Sequence, residues 1–97
     1  MKSTNEPRPL RAVITHLLES YRLENQYRAA RIKDAWKQEM GGFVVERTQE
    51  ITFRDGRLCV TLSSPALRQE ILLAKSDVIQ RLNRYVGADL IAELIIL

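Results

Sequence analysis

The apolar residues near the start of the chain recur every three or four positions, which predicts an amphipathic helix over residues 9–21. Pro9 suits the first turn of this helix, where its missing N–H costs nothing. The apolar side is a narrow seam, more typical of pairing with another helix than of a broad core face. Its members are Leu10, Val13, Ile14, Leu17 and Tyr21. The polar residues 1–8 are predicted to be disordered.

A second helix is predicted from Asn25, which suits an N-cap, to Met40, with the glycine pair Gly41–Gly42 ending it. One side of its helical wheel is apolar and would face the core: Ala29, Ile32, Trp36 and Met40. Trp36 is therefore expected to pack in the core rather than stack on a base. A smaller apolar set lies on the far side: Leu23, Tyr27 and Ala30. Tyr27 is the better candidate for base stacking.

Alternation of apolar and polar residues follows, and Asp55–Gly56 interrupts it. An Asp-Gly pair between two alternating runs is a strong hairpin signal, because both residues tolerate the positive φ of a tight turn. A two-residue turn would pair Arg54 with Arg57, Phe53 with Leu58, and Ile51 with Val60. This register puts the apolar side chains on one face of the hairpin.

Ser64 and Pro65 then provide an N-cap and a first-turn residue for one long helix, which Gly87 ends. The run Leu90–Leu97 is short and rich in β-branched residues, so it predicts a third strand. Three of its residues are expected to face the helices: Ala92, Leu94 and Ile96. Three others would face away: Ile91, Ile95 and Leu97. That second set would need a cover, provided by the first helix, a partner or a second copy of the chain.

The resulting order, α-α-β-β-α-β, predicts an α+β fold with a three-stranded sheet covered by helices on one face. The crossover helix would make the third strand parallel to one of the others. At 97 residues the chain fits a single domain, 1–97, with one modest core.

Composition argues against several classes of protein. Hydrophobic residues make up 45% and charged residues 28%, which suits a globular domain. No run reaches the roughly 18 apolar residues of a membrane span, and no signal peptide is apparent, so we expect the cytoplasm. Cys59 and His16 are too few for a zinc site, and no nucleotide-binding motif is present. We therefore expect no metal, no cofactor and no enzymatic activity.

The net charge of +3 lies entirely in the first part of the chain. Residues 1–40 hold eight Lys or Arg against five acidic residues, whereas residues 41–97 hold seven of each. A basic region favours a polyanion such as nucleic acid. The candidate phosphate contacts lie along the second helix and beside the hairpin turn: Arg22, Arg28, Arg31, Lys33, Lys37, Arg54 and Arg57.

An ordered set of segments resembles the DciA-like family. They are Ala35–Lys37, Met40–Gly41, Thr48, Ile51–Val60, Ser63–Ile71 and Ile79–Asn83. The pattern is a helix ending in Trp and Gly, an Arg-Asp-Gly hairpin, a Ser-capped helix ending in Arg-Leu-Asn, and a short closing strand. It covers roughly residues 25–97.

This resemblance implies a KH-like fold, binding of DNA, and a role in loading or operating the bacterial replicative helicase. The implied partners are DNA, expected to be single-stranded, and the replicative helicase, with a nucleoid-associated location. Two alternatives stay open. One is a protein-interaction module that does not bind nucleic acid, with a homodimer as one possible form. The other is an RNA-binding KH-like domain, which the missing Gly-x-x-Gly clamp loop makes less attractive.

Overall fold

The computed structural model describes residues 7–97, which form three helices and three strands in the order α-β-β-α-α-β. These are α1 (Pro7–Glu46), β1 (Thr48–Arg54), β2 (Arg57–Leu62), α2 (Pro65–Leu73), α3 (Lys75–Val86) and β3 (Glu93–Ile96). The sheet order is β1-β2-β3, with β2 antiparallel to β1 and parallel to β3. The α+β class, the three-stranded sheet and the parallel third strand are confirmed.

Helix α1 is one long helix where the sequence predicts two. Its 40 residues run through the predicted break, and Asn25 lies inside the helix instead of capping one. No glycine or proline occurs between Leu10 and Met40. In addition, Arg28 pairs with Glu24 one turn earlier, at 3.4 Å. The prediction of a break was wrong. Asparagine favours N-caps, but it does not end a helix when the residues on both sides of it are compatible with helix.

Helical geometry is broken at Gly41, where the sequence predicts the end of the helix, whereas the start of α1 differs from the prediction. Gly41 has φ 82° and ψ 167°, so it kinks the helix, which then continues for one more turn to Glu46. A positive φ of this kind is one that other residues rarely adopt. At the other end the helix begins at Pro7. Residues 1–6 lie outside the described part of the chain, so the predicted disorder there is untested.

The hairpin between β1 and β2 is confirmed in position and register. Arg54 pairs with Arg57 across the turn, and the predicted pairs further along the strands follow. Asp55 and Gly56 have φ of 51° and 80°, as a two-residue turn requires. Phe53 and its cross-strand partner Leu58 thus face the helices, while Cys59 lies on the open side of the sheet.

The long helix predicted after Ser64 is divided into α2 and α3 at Ala74, whose φ of −106° and ψ of 23° depart from helical values. No glycine or proline marks this position, so local sequence gave no reason to expect it. The ends were predicted correctly. The Ser64 hydroxyl accepts a hydrogen bond from the Leu67 N–H at 3.2 Å, and Gly87 ends α3 with φ 77°.

Strand β3 is shorter than predicted, and its first half was assigned to the wrong faces. Leu94 is fully buried opposite Leu58, as expected. Ile91, however, is only 3% exposed, and Ala92, predicted to be buried, is exposed. The cluster predicted to need a cover therefore does not form.

The reason is a link that precedes the strand. The Asn83 side chain accepts a hydrogen bond from the Ile91 N–H at 2.9 Å and donates one to the Ile91 carbonyl at 3.1 Å. These two hydrogen bonds hold the backbone of Ile91 against α3. Because the strand begins only at Glu93, the alternation of faces does not extend back to residues 91 and 92.

The core lies between one face of the sheet and the helices, and Trp36 is part of it with no exposed surface, as predicted. Its indole N–H donates to the Thr48 hydroxyl at 3.0 Å, which in turn donates to the Val44 carbonyl at 2.8 Å. The buried apolar residues are Ile32, Ala35, Trp36, Leu58, Val60, Leu62, Leu67, Ile71, Val78, Leu82, Val86, Ile91 and Leu94.

The first part of α1 extends beyond this core. The molecule is 66 Å long and only 25 Å and 19 Å across, and the part of α1 before the kink at Gly41 accounts for about 50 Å of that length. We call residues 7–21 the arm and residues 22–97 the body. The arm exposes a continuous apolar stripe: Leu10, Val13, Ile14, Leu17, Leu18 and Tyr21.

Candidate nucleic-acid interface

Two depressions follow one another between α1 and β1, which is an edge strand of the described sheet, and we call them together the groove. The helix and the strand run in opposite directions along it. One end of the groove lies between Arg22 and Arg54, and the other between Lys37 and Thr48. The fifteen helical steps from Arg22 to Lys37 give it a length of about 22 Å.

Four of the seven predicted phosphate contacts line this groove, and all four are exposed: Arg22, Lys33, Lys37 and Arg54. Among the described residues that line it, Glu50 is the one acid. Within residues 7–97, none of the ion pairs involves Arg22, Lys33 or Lys37. These cations are therefore available to an anionic ligand.

Arg54 has a weaker local partner. Its Nε lies 3.9 Å from an Asp55 carboxylate oxygen, and its side chain is 89% exposed. It lines both the groove and a shallow depression on the open side of the sheet, next to Arg57. An ion pair this long and this exposed contributes little, so Arg54 can exchange Asp55 for a phosphate at small cost.

Half-buried apolar side chains form the floor of the groove, and amides stand beside them. The floor includes Ala29, Ile51 and Phe53, and the amides are Asn25, Gln26 and Gln49. A groove with cations on its rim, apolar surface below and neutral hydrogen-bonding groups between them suits the mixed chemistry of a nucleic acid.

Arg28 and Arg31 lie on the other side of α1, and each already has a partner. Arg28 pairs with Glu24. Arg31 donates a hydrogen bond to the Val86 carbonyl at the end of α3, where a cation also interacts favourably with the helix dipole. Arg28 and Arg31 are thus on the opposite flank of α1 from Lys33 and Lys37, as the spacing of the four residues along one helix predicts.

Arg57 is also engaged, although it stands beside the turn as predicted. Its Nε donates to a Glu93 carboxylate oxygen at 3.1 Å, which joins the start of β2 to the start of β3. Both side chains remain more than half exposed. Arg57 lies on the open side of the sheet and not in the groove.

Of two exposed tyrosines on α1, Tyr21 lies near the groove cations and Tyr27 does not. Tyr27 is 62% exposed, but it lies on the solvent side of α1, and the Arg31 guanidinium stands 5.6 Å from its ring centre. Tyr21 lies at the mouth of the groove, and its hydroxyl donates to Asp55 at 3.1 Å. Tyr21, rather than Tyr27, is therefore the tyrosine nearest the candidate interface.

A stacked pair that the sequence reading missed lies beyond the Lys37 end of the groove. The Arg47 guanidinium lies 3.7 Å from the centre of the Phe43 ring and donates to the Phe43 carbonyl at 2.9 Å. Phe43 is 63% exposed. The four-residue spacing of an aromatic residue and an arginine was the available signal, but the helix had been predicted to end at Gly41–Gly42.

Tyr85 on α3, which faces α1, is the described residue whose pKa departs clearly from its ordinary value. Tyr85 donates a hydrogen bond to Asp34 at 2.9 Å, which raises the pKa of the phenol. Desolvation and the charges of Asp34 and Glu39 raise this pKa further. The contact joins α3 to α1 and keeps Asp34 away from the basic groove.

The geometry defines a class of protein: a small α+β domain with an exposed basic groove between a long helix and an edge strand. A family model described as "Dna[CI] antecedent, DciA" matches residues 9–96. The chain therefore belongs to the DciA family. This family is associated with the loader of the replicative helicase, so the chain is a replication accessory protein.

Two further comparisons gave nothing, since no curated protein and no solved structure matches the chain. The likeness to KH domains consequently stays a prediction. No helix within residues 7–97 is both long enough and apolar enough to cross a membrane.

Proposed function

We propose that this protein binds single-stranded DNA in the groove between α1 and β1 and assists loading of the replicative helicase at the nucleoid. The observation that carries the proposal is the set of four exposed cations along one groove, Arg22, Lys33, Lys37 and Arg54, with Glu50 as the acid opposing them. The other three predicted contacts, Arg28, Arg31 and Arg57, already have partners in the fold: Glu24, the Val86 carbonyl and Glu93.

The shape of the groove favours a single strand over a duplex. A single strand can lay its backbone along the cations and turn its bases towards the apolar floor at Ile51 and Phe53. The major groove of duplex DNA is read by an inserted helix or β-ribbon, whereas this site is itself a depression. Of the described residues, the side chains that could contact bases are amides and apolar groups, and no arginine or lysine stands among them to read a base edge. We therefore expect little preference for base sequence.

Measurement of affinity against salt tests the groove. For single strands the logarithm of the binding constant falls with the logarithm of salt concentration by about 0.7 for each phosphate contact. The double variant Lys33→Ala/Lys37→Ala should therefore weaken binding to a labelled oligothymidine and reduce the slope by about 1.4. Fluorescence anisotropy over a series of salt concentrations gives both quantities.

A matched control removes two exposed cations elsewhere, Lys75→Ala/Arg84→Ala on α3. It changes the net charge equally, but both residues lie outside the groove. The control should therefore lower affinity only slightly and leave the salt slope nearly unchanged. Equal loss in both double variants would mean that net charge, and not the groove, attracts DNA. An RNA oligomer of the same length, bound more tightly than DNA, would favour the RNA-binding alternative.

The helicase part of the proposal rests on the family match and needs its own experiment. The amount of replicative helicase retained on single-stranded DNA is measured with and without this protein. We expect wild type and the Lys75→Ala/Arg84→Ala control to increase retention, and Lys33→Ala/Lys37→Ala to increase it less. If helicase retention is the same in the absence of the protein, assistance in loading is excluded.

A further inference from the structure

We infer that the arm, residues 7–21, pairs with the arm of a second copy of the chain as an antiparallel helix pair. Its apolar stripe comprises six residues, each between 48% and 63% exposed: Leu10, Val13, Ile14, Leu17, Leu18 and Tyr21. Within residues 7–97, the body meets this stripe only at its end, where Tyr21 contacts the hairpin turn and Leu18 lines the groove beside Phe53 and Arg54.

The stripe continues the buried side of α1 and is not a scatter of separate apolar residues. Ile14, Leu18 and Tyr21 are followed at spacings of three and four by Asn25, Ala29, Ile32 and Trp36. Residues at these spacings lie on one side of a helix. The side that the sheet and α3 cover in the body is therefore the side that the arm leaves open.

A helical arm of fifteen residues has little stability of its own in water. Isolated helices of about this length are marginally stable, and most helical stability in proteins comes from packing an apolar face. Exposed apolar clusters of this size also mark surfaces that another molecule covers. The arm thus needs an occupant for its stripe.

A second copy fits the area and the pattern. The six residues expose roughly 600 Å² on each copy, so a symmetric pair that buried all of it would reach about 1,200 Å², the lower end of the range for specific interfaces. Leu10, Ile14, Leu17 and Tyr21 follow the four-three-four spacing of a coiled-coil seam. Of the residues flanking it, Arg11, Val13, Leu18 and Ser20, only Arg11 is charged, so no like charges meet across an antiparallel pair.

The direction follows from the continuity of the stripe. A parallel partner laid along the arm would continue towards the surface that the body of the first copy occupies, and the two bodies would collide. In an antiparallel pair the bodies lie at opposite ends. Leu10 of one copy then approaches Tyr21 of the other, and Ile14 approaches Leu17.

Sedimentation of the full chain over a range of concentrations tests the pairing. We expect a dimer for wild type and, for Leu17→Glu, self-association weaker by at least about tenfold, because central apolar contacts carry much of the energy of an interface. The matched control is Thr15→Glu, which adds the same charge on the exposed polar side of the arm and should leave the dimer intact. Unchanged Trp36 fluorescence shows that the body remains folded.

Disulfide cross-linking tests the direction. In a Cys59→Ser background, chains with Leu10→Cys and chains with Tyr21→Cys should cross-link when they are mixed and oxidised, and neither should cross-link efficiently alone. A monomer at all concentrations, a Leu17→Glu dimer as strong as wild type, or cross-linking of Leu10→Cys with itself would overturn the inference. The Lys33–Lys37 end of the groove contains no arm residue, so the effect of Lys33→Ala/Lys37→Ala on DNA binding tests the groove separately from the pairing.

Discussion

The two halves of α1 carry the same kind of apolar stripe, but the stripe is buried in one half and exposed in the other. In the body, Ile32 and Trp36 have no exposed surface, because the sheet and α3 pack on them. In the arm, Leu10 and Leu17 lie on the same helix and are 63% and 61% exposed. Helical periodicity therefore predicts which side of a helix is apolar. Whether that side becomes core depends on whether the rest of the chain reaches it.

The largest difference is expected between a large truncation in the body and one in the arm. Trp36→Ala should cost about 3–5 kcal/mol of unfolding free energy, the range for removing a buried large aromatic side chain. Leu17→Ala, measured where the chain is monomeric, should cost less than about 0.5 kcal/mol, as for an exposed position. Urea unfolding followed by circular dichroism measures both. Similar costs for the two variants would mean that the arm packs on its own body.

A smaller effect is expected where Trp36 is fixed to the start of β1. Thr48→Val keeps the shape of the side chain but removes the acceptor for the indole N–H. Leaving that buried donor unpaired should cost about 1–3 kcal/mol. The control is Thr52→Val on the same strand, where the side chain is exposed. If both variants melt at the wild-type temperature, the hydrogen bond from Trp36 contributes nothing measurable.

The boundary between the two halves gives a third test. Inside a continuous helix, Asn25→Ala should be neutral or should stabilise the chain by up to about 0.5 kcal/mol, because alanine is the better helix former. If Asn25 capped a separate helix, the same change would cost about 1 kcal/mol. Ser64→Ala, which removes the cap that α2 does use, provides that reference cost. A loss for Asn25→Ala as large as that for Ser64→Ala would restore the predicted break.

The smallest effect concerns the contact between α3 and the body half of α1. Tyr85 should titrate above 10.0, because its hydrogen bond to Asp34 stabilises the protonated phenol. A raised folded-state pKa means that this contribution to stability is present below pH 10.0 and is lost as pH rises through the raised value. Ultraviolet titration of wild type against Tyr85→Phe isolates this phenol. Asp34→Asn should bring its pKa down, and an unchanged value would remove Asp34 as the cause.

Much of the body could be predicted because its signals are local. The Asp55–Gly56 turn fixed the hairpin register, since only one pairing puts Phe53 and Leu58 on the same face. Ser64 and Gly87 marked the outer ends of two helices through caps that need only neighbouring backbone. The membership of the DciA family was likewise readable from an ordered set of short segments, and the family match over residues 9–96 confirms it.

The misjudged positions depend on contacts between residues far apart in sequence. Ile91 is buried because Asn83, eight residues earlier on α3, brackets its backbone, and no alternation rule contains that contact. The division at Ala74 has no local marker and places Ile71 and Val78 in one core.

The candidate site shows the same division. Sequence alone determined that the basic residues cluster on the first half of the chain and that Trp36 belongs to a core-facing stripe. Tertiary structure decided which cations remain free: β1 lies beside Lys33 and Lys37 and leaves them open, whereas α3 lies beside Arg31 and takes it as a partner for the Val86 carbonyl. The physical reason is that charge is a property of the residue, but its availability is set by the element packed next to it.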